Sequence, residues 1–356
     1  MEDINDVEII APNFKQRLSG VTSTIIQLIP VQRALGQKVA ALGPGLPQNL
    51  PHIGYRSLLS LWCRPKNRAL RVWHARRNIE MLPAIFMRDI LRMKLKIVFT
   101  SASQRKHSGW TKFLVSRMDA VIATSNRTAA YLEVPSTTIM HGIDTQRFFP
   151  AADKPAAKSA LGLPAGKKIA GCFGRVRHQK GTDLFVASMI SLLPQRPDWI
   201  AIIAGRATPS HQAFETELKE KVKAAGLGER ILFVGEHTNI PDWYRALDLF
   251  IAPQRWEGFG LTPLEAMATQ VPVVATDVGA FSELLVTGED ETGILIAAGD
   301  LTAMAGAAAL LMDDPDRSAR AAELGLSRAI DSFSIEGEAS RIGAVYETLL
   351  SGGASV

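Results

Sequence analysis

Short apolar runs recur along the whole chain, separated by stretches whose apolar positions repeat at helical spacing. In the first half, residues 7–12, 39–42, 97–100, 120–124 and 138–140 read as strands, and residues 21–35 and 79–93 as helices. In the second half, strands are expected at 169–173, 200–204, 231–234, 249–252, 273–275 and 294–296, with helices at 215–225, 303–312 and 335–350. Continuous apolar strands alternating with helices predict parallel sheets covered on both faces. Residues 150–166 break the rhythm with Pro, Ala and Lys and read as a linker. The resulting plan is an α/β protein of two successive doubly wound domains, 1–150 and 167–334, joined by 151–166. In such domains ligands bind beyond the carboxyl ends of the strands, so a cleft between the domains is the expected site.

Residues 79–93 carry Leu82, Ile85, Phe86 and Ile90 at helical spacing. This stripe fits either a helix lying in a membrane interface or a core helix, with the core helix favoured.

Composition narrows the class. The 356 residues are 47% hydrophobic and 21% charged, as in a globular chain with large cores. Only Cys63 and Cys172 occur, which excludes a disulfide framework, and Cys172 falls in an apolar strand pattern. The acidic start, residues 1–6, has no signal-peptide core, and no run approaches the roughly 20 apolar residues of a membrane span. A reducing cytoplasm is therefore the expected compartment.

The net charge of +5 hides an asymmetry. Residues 1–150 carry +12 and the remainder −7. Between Arg64 and Arg117 fourteen Lys and Arg face only Glu80 and Asp89. Such a patch suits an anionic partner or is simply a solvated surface. No nucleic-acid-binding motif accompanies it. Nor does any strand lead into Gly-x-Gly-x-x-Gly, so a dinucleotide oxidoreductase is disfavoured.

Three loops carry candidate chemistry. In Arg255-Trp256-Glu257-Gly258-Phe259-Gly260-Leu261-Thr262-Pro263-Leu264-Glu265, two carboxylates flank a glycine turn between an apolar strand and a helix. Free backbone N–H groups there favour phosphate, and acids beside them can bind hydroxyl groups, which suggests a nucleotide-sugar. Glu265 has a second reading, because Thr262, Pro263 and Glu265 also spell an N-cap, a first-turn proline and a capping-box acid. Glu257 has no such local explanation. In Gly174-Arg175-Val176-Arg177-His178-Gln179-Lys180-Gly181, Arg175 can fork onto phosphate oxygens and Lys180 can act as a point charge. Arg17-Leu18-Ser19-Gly20 is a third phosphate-approach loop, centred on Gly20.

These loops together resemble glycosyltransferase family 4, a retaining group with the GT-B fold of two Rossmann-like domains facing across a cleft. The resemblance rests on Gly174-Arg175…Lys180-Gly181 and Glu257-Gly258-Phe259-Gly260…Glu265-Ala266-Met267-Ala268. It extends to His141-Gly142-Ile143-Asp144, where His replaces the usual Asn, and to Thr287-Gly288…Thr292-Gly293. It implies that Arg175 and Lys180 bind the donor diphosphate and that Glu265 holds the ribose hydroxyls. The backbone of Gly174, Gly258, Phe259 and Gly260 would approach phosphate and sugar, and Glu257 would contact the transferred hexose near the reacting carbon. Glu257, Arg175 and Lys180 are thus the implied catalytic residues. The leaving phosphate would take the acceptor's proton, so neither a metal nor a cofactor is implied. The final helix, about 335–356, would return to the N-terminal domain. Asp314-Pro315-Asp316 spells Asp-x-Asp but reads as a helix start.

Residues 97–117 and Ala123-Thr124-Ser125 further resemble bacterial lipopolysaccharide core mannosyltransferases. That resemblance implies GDP-mannose as donor and the acidic, lipid-linked sugar Kdo as acceptor. It also implies an anionic membrane surface as partner and a peripheral place on the cytoplasmic face of the inner membrane. One departure stands out: Ala102 occupies the position where relatives carry a His. His74 and His107 are candidate substitutes, and Arg76, Arg77 and Arg105 beside them are candidate ligands for an acidic acceptor. A nucleotide-sugar epimerase or hydrolase, or a non-catalytic anion-binding protein, remains as an alternative.

Overall fold

A computed structural model describes residues 1–16 and 20–351. The chain divides into two compact units, Met1–Asp144 with Ile335–Val356, and Thr145–Ser334.

The first unit contains a seven-stranded sheet of order β3-β2-β1-β4-β5-β6-β7. The strands are β1 (Ile9–Pro12), β2 (Val39–Leu42), β3 (His52–Ile53), β4 (Arg71–Ala75), β5 (Leu95–Ser101), β6 (Ala120–Ala123) and β7 (Thr137–Thr138), all pairing in parallel. Side chains alternate between two cores. Ile9, Val72 and Val98 face the helices Gly20–Ala34 and Ile335–Leu350, while Ile10, Trp73 and Phe99 face the opposite side. The final helix contributes Ile335, Ala339, Ile342, Tyr346 and Leu349, an unbroken helical stripe, to the first of these cores.

The central strand β4 has no counterpart among the sequence-predicted elements. Its residues Arg71-Val72-Trp73-His74-Ala75 are all buried, and two of them are polar. Arg71 is tolerated inside because its guanidinium donates to the carbonyls of Ile4 and Val7 at 2.9 and 3.0 Å. Polar residues with internal partners erase the apolar signature of a strand.

The second unit is a six-stranded parallel sheet of order β10-β9-β8-β11-β12-β13. Its strands are β8 (Lys168–Phe173), β9 (Trp199–Ala204), β10 (Ile231–Gly235), β11 (Leu249–Ala252), β12 (Val273–Thr276) and β13 (Ile294–Ile296). Strand order reverses between β8 and β11, which places a topological switch point there. Cys172 is buried in this core, and Cys63 is exposed.

Three sequence expectations need correction. Residues 151–166 are not a linker: Asp153 caps a helix, Lys154–Ala160, and buried Lys158 donates to Asp248 Oδ2 at 2.7 Å. The second unit begins at Thr145 rather than near 151. Phe148 packs edge-on against Tyr244 at 5.9 Å, and the Arg245 guanidinium lies 3.9 Å over Phe149, which anchors this stretch to the second unit. The segment at 79–93 is not a core helix packed by its apolar stripe. It runs as helix Asn78–Ile85 and a π turn, Phe86–Ile90, and buries Glu80, Met81, Ala84 and Met87. Leu82, Phe86 and Ile90 point outward. Glu80 goes inside because Arg77 Nη1 and the Arg76 N–H both bind its carboxylate at 2.7 Å.

Candidate active site

The loops that follow β8 and β11 lie side by side at the switch point of the second unit. Gly181 makes this possible. Its φ is 70°, and a Cβ there would stand 1.8 Å from the Pro253 carbonyl oxygen. Arg255 ties the loops together: its N–H donates to the Gln179 carbonyl at 3.0 Å and its Nη1 to the His178 carbonyl at 2.7 Å. The same guanidinium forks onto Asp183 at 2.7 and 2.8 Å. That pair holds the Asp183 carboxyl below its ordinary range although burial opposes it. Neither the sequence pattern nor the family resemblance singled out Arg255 or Asp183, since 72 residues separate the partners.

Across this seam, Lys180 Nζ is ion-paired with Glu257 Oε2, and both side chains are largely shielded from solvent. Glu257 Oε1 accepts the Gly258 N–H at 3.1 Å. Arg175 is exposed on the same loop as Lys180, and Gly174 holds φ at 140° where β8 ends. Gly258 and Phe259 are buried, and the Phe259 carbonyl accepts the Ala280 N–H at 3.0 Å. A Cβ on Gly260 would meet the Phe281 ring at 2.3 Å and Glu257 Cγ at 2.8 Å, so the turn excludes any larger residue.

Glu265 lies on the helix Thr262–Ala268, and its carboxylate does not cap that helix. Leu261 is the N-cap, without a side-chain cap bond, and the Glu265 Oε2 instead accepts the Tyr244 hydroxyl at 2.8 Å. Burial raises the Glu265 pKa, while Tyr244 and nearby Arg147 act in the opposite sense. Tyr244 is fully buried among Phe173, Phe250 and Phe148, so its hydroxyl is fixed. The capping-box reading of Glu265 is therefore set aside, and Tyr244 joins the site as a residue that sequence reasoning missed.

The second unit thus brings together Gly174, Arg175, Lys180, Glu257, Gly258, Phe259, Gly260 and Glu265. Cations and hydroxyl-binding carboxylates at one switch point can grip a diphosphate and the sugars on either side of it. Asp314 of Asp314-Pro315-Asp316 caps the helix Pro315–Phe333 by accepting the Arg317 N–H at 3.0 Å. Among the described residues no group of three His, Cys, Asp or Glu side chains is placed to hold a metal ion.

In the first unit the candidates separate. His74 is fully buried, its Nδ1 2.5 Å from the Tyr346 hydroxyl and its Nε2 2.6 Å from Thr100 Oγ1. Burial first, and then the Arg76 charge, push its pKa well down. Both nitrogens are engaged internally, so His74 is corrected from acceptor ligand to a link between β4, β5 and the final helix. Arg76 and Arg77 follow β4 at the switch point between β1 and β4. Arg77 also donates to Asn13 Oδ1 at 2.8 Å and Thr22 Oγ1 at 3.1 Å, beside the loop after β1. Gly20 opens the helix Gly20–Ala34 with open space around it, and Arg17, Leu18 and Ser19 lie outside the described residues. Arg105 is exposed on the loop after β5. His107 borders a separate cavity of about 280 Å³ with Lys112, Tyr131 and Glu133. Burial and the charges of Arg105 and Lys112 lower its pKa. His141 Nδ1 lies 2.8 Å from Glu338 Oε1, and the Gly142 N–H donates to the other oxygen at 2.8 Å, which fastens the junction segment to the final helix.

Known proteins resemble this chain in sequence and in fold. The profile of the family described as "Glycosyl transferases group 1" matches residues 153–327. The lipopolysaccharide core biosynthesis mannosyltransferase LpsB of Rhizobium meliloti is 73% identical over 98% of this chain and 100% of the relative. The lipopolysaccharide core biosynthesis mannosyltransferase LpcC of Rhizobium leguminosarum is 57% identical over 98% of this chain and 99% of the relative. Among solved structures, HepE of Anabaena in complex with UDP superposes with a TM-score of 0.83 at 18% identity, covering 96% of this chain and 100% of that one, a likeness of fold. With two parallel doubly wound domains and full-length identity of this degree, the chain belongs to the group 1 glycosyltransferases of GT-B type, in the family of lipopolysaccharide core biosynthesis mannosyltransferases.

Proposed function

We propose that this protein is a retaining mannosyltransferase that moves mannose from GDP-mannose to an acidic, lipid-linked Kdo sugar of the lipopolysaccharide inner core, without a metal or a further cofactor. The carrying observation is the Lys180–Glu257 pair at the second switch point, with Arg175 exposed on the same loop as Lys180 and Glu265 held by Tyr244. The names of the two full-length relatives support the sugar and the pathway, and the UDP in the HepE complex accords with a nucleotide donor.

In this reading Arg175 and Lys180 clamp the diphosphate. Lys180 then exchanges the Glu257 carboxylate for a phosphate oxygen, which frees Glu257 for the hexose hydroxyls. Glu265 takes the ribose hydroxyls with the oxygen that Tyr244 leaves open. As the bond from mannose to phosphate breaks, negative charge grows on the departing diphosphate, and the two cations stabilise it. The acceptor's hydroxyl proton passes to that phosphate. Arg76, Arg77 and Arg105 of the first unit supply positive charge for the Kdo carboxylate.

The test is transfer of labelled mannose from GDP-mannose to a Kdo-bearing lipid in the presence of a chelator, with the anomeric configuration of the product read by NMR. Chelator-resistant transfer with retention is expected. Hydrolysis or epimerisation of the donor without transfer to Kdo refutes the assignment.

A further inference from the structure

The donor loops occupy the carboxyl end of the second sheet. At its opposite end, beside the starts of β8, β9, β11 and β12, the second unit holds an open cavity of about 480 Å³. Lys168 opens β8, Trp199 opens β9, and Asp248 directly precedes β11. The six residues of β8, about 20 Å of extended chain, separate this cavity from Arg175 and Lys180. Its volume falls within the roughly 300–1,000 Å³ of small-molecule sites. Its walls are largely apolar, Met312 and Pro272 among them.

Four donor side chains line it: Lys154, Lys168, Gln270 and Ser318. The acid beside them, Asp248, is already committed. Its Oδ2 accepts Lys158 Nζ at 2.7 Å and the Ile169 N–H at 2.8 Å. Lys154 Nζ stands 3.8 Å from its other oxygen, so two ammonium groups share one carboxylate. Burial pulls the Lys154 pKa down, with Asp248 opposing and Lys158 reinforcing. Lys168 Nζ lies 5.6 Å over the Trp199 ring and forms no ion pair among the described residues. Neither the Gln270 amide nor the Ser318 hydroxyl has a hydrogen-bond partner among the described residues. Gln270 also holds φ at 56°, just past the helix Thr262–Ala268, where glycine is the usual residue. A side chain kept there at a backbone cost points to a task for its amide.

We propose that this cavity is a second small-molecule site, separate from the donor site, and that it binds a phosphate ester. Lys154 and Lys168 meet the phosphate dianion, and Gln270 and Ser318 donate to its remaining oxygens. The esterified group lies along Met312 and Pro272. A carboxylate, with a single charge, would leave one of the two lysines unmatched. The inference is independent of the donor's identity.

The test is calorimetric titration of the full chain with glucose 1-phosphate and with inorganic phosphate, after saturation with GDP to fill the donor loops. Saturable binding of the ester, tighter than that of inorganic phosphate, is expected. Lys168→Gln should weaken it about tenfold or more, with GDP affinity and melting temperature unchanged, because Lys168 is exposed and unpaired. Gln270→Gly relaxes the backbone, so the free protein should melt no lower than wild type while the ester binds more weakly. A residue that merely ends its helix would show no such loss of binding. No binding of the ester to the GDP-saturated protein, affinity no better than that of inorganic phosphate, or wild-type affinity in both variants each overturns the proposal. GDP affinity, measured in the same titrations, reports separately on the proposed function.

Discussion

Replacing Tyr244 by Phe removes one oxygen atom and little else. The ring keeps its place between Phe173 at 4.6 Å and Phe250 at 5.2 Å, so the aromatic packing should survive. What disappears is the 2.8 Å hydrogen bond to Glu265 Oε2. A hydrogen bond to a charged group is worth about 1.5–3 kcal/mol, which corresponds to roughly ten- to a hundredfold in an equilibrium constant. Part of this falls on stability, because the carboxylate loses a donor in a partly buried place. The remainder falls on donor binding, because Glu265 is no longer fixed to meet the ribose. The variant should therefore bind GDP-mannose about tenfold more weakly while kcat at saturation changes little.

The pH dependence has a defined sign. Burial already raises the Glu265 pKa, and the Tyr244 hydroxyl opposes that rise. Without the hydroxyl the pKa climbs further, and the charged form that accepts ribose hydroxyls is lost at a higher pH on acidification. Calorimetric titration of GDP-mannose across the acid range measures both quantities. Wild-type affinity together with an unmoved pH midpoint in Tyr244→Phe would refute the role given to this pair.

Other expectations follow from the same geometry. Lys180→Ala should weaken donor binding by about tenfold or more, the loss of one charged contact, whereas Glu257→Ala should suppress transfer yet keep nucleotide affinity; calorimetry beside a transfer assay separates the two. Gly181→Ala forces a left-handed φ and a backbone clash with Pro253, so thermal melting should show a loss of about 1–3 kcal/mol or more, with impaired donor binding. His74→Ala leaves the Tyr346 and Thr100 hydroxyls without their partner and opens a cavity, at a cost of about 2–5 kcal/mol in denaturant unfolding. Since His74 stays neutral when folded, the native protein should lose stability as pH falls below about 6.5, where only the unfolded chain takes the proton. The His74→Ala variant should lack that component, and an unaltered pH slope would count against it.

Much of the architecture is legible in local pattern. Eleven of the thirteen strands among the described residues overlap the strand runs expected from the sequence, and the basic and acidic loops at 174–181 and 255–265 announce themselves by residue type. Strands buried on both faces are apolar wherever no internal partner satisfies a polar side chain, and a phosphate loop needs glycine and cations close together in the chain. The strand Arg71–Ala75 escapes notice because its buried arginine and histidine are satisfied by distant groups. The helix Lys154–Ala160 looks like a linker because its anchor, Asp248, lies 90 residues away from Lys158.

The sequence by itself determined two parallel-sheet domains and the identity of the donor-side cations and carboxylates, because hydrophobic period and turn chemistry act over a few residues. Only the tertiary structure decided that Glu265 answers to Tyr244 rather than to its own helix, that Arg255 and Asp183 lock the two loops, and that His74 is a core residue. It also decided which side of residues 78–90 faces out. Spacing shows that a helix has an apolar face, but what covers that face depends on packing against the rest of the fold; here Glu80, paired with Arg77, turned inward and left Leu82, Phe86 and Ile90 at the surface.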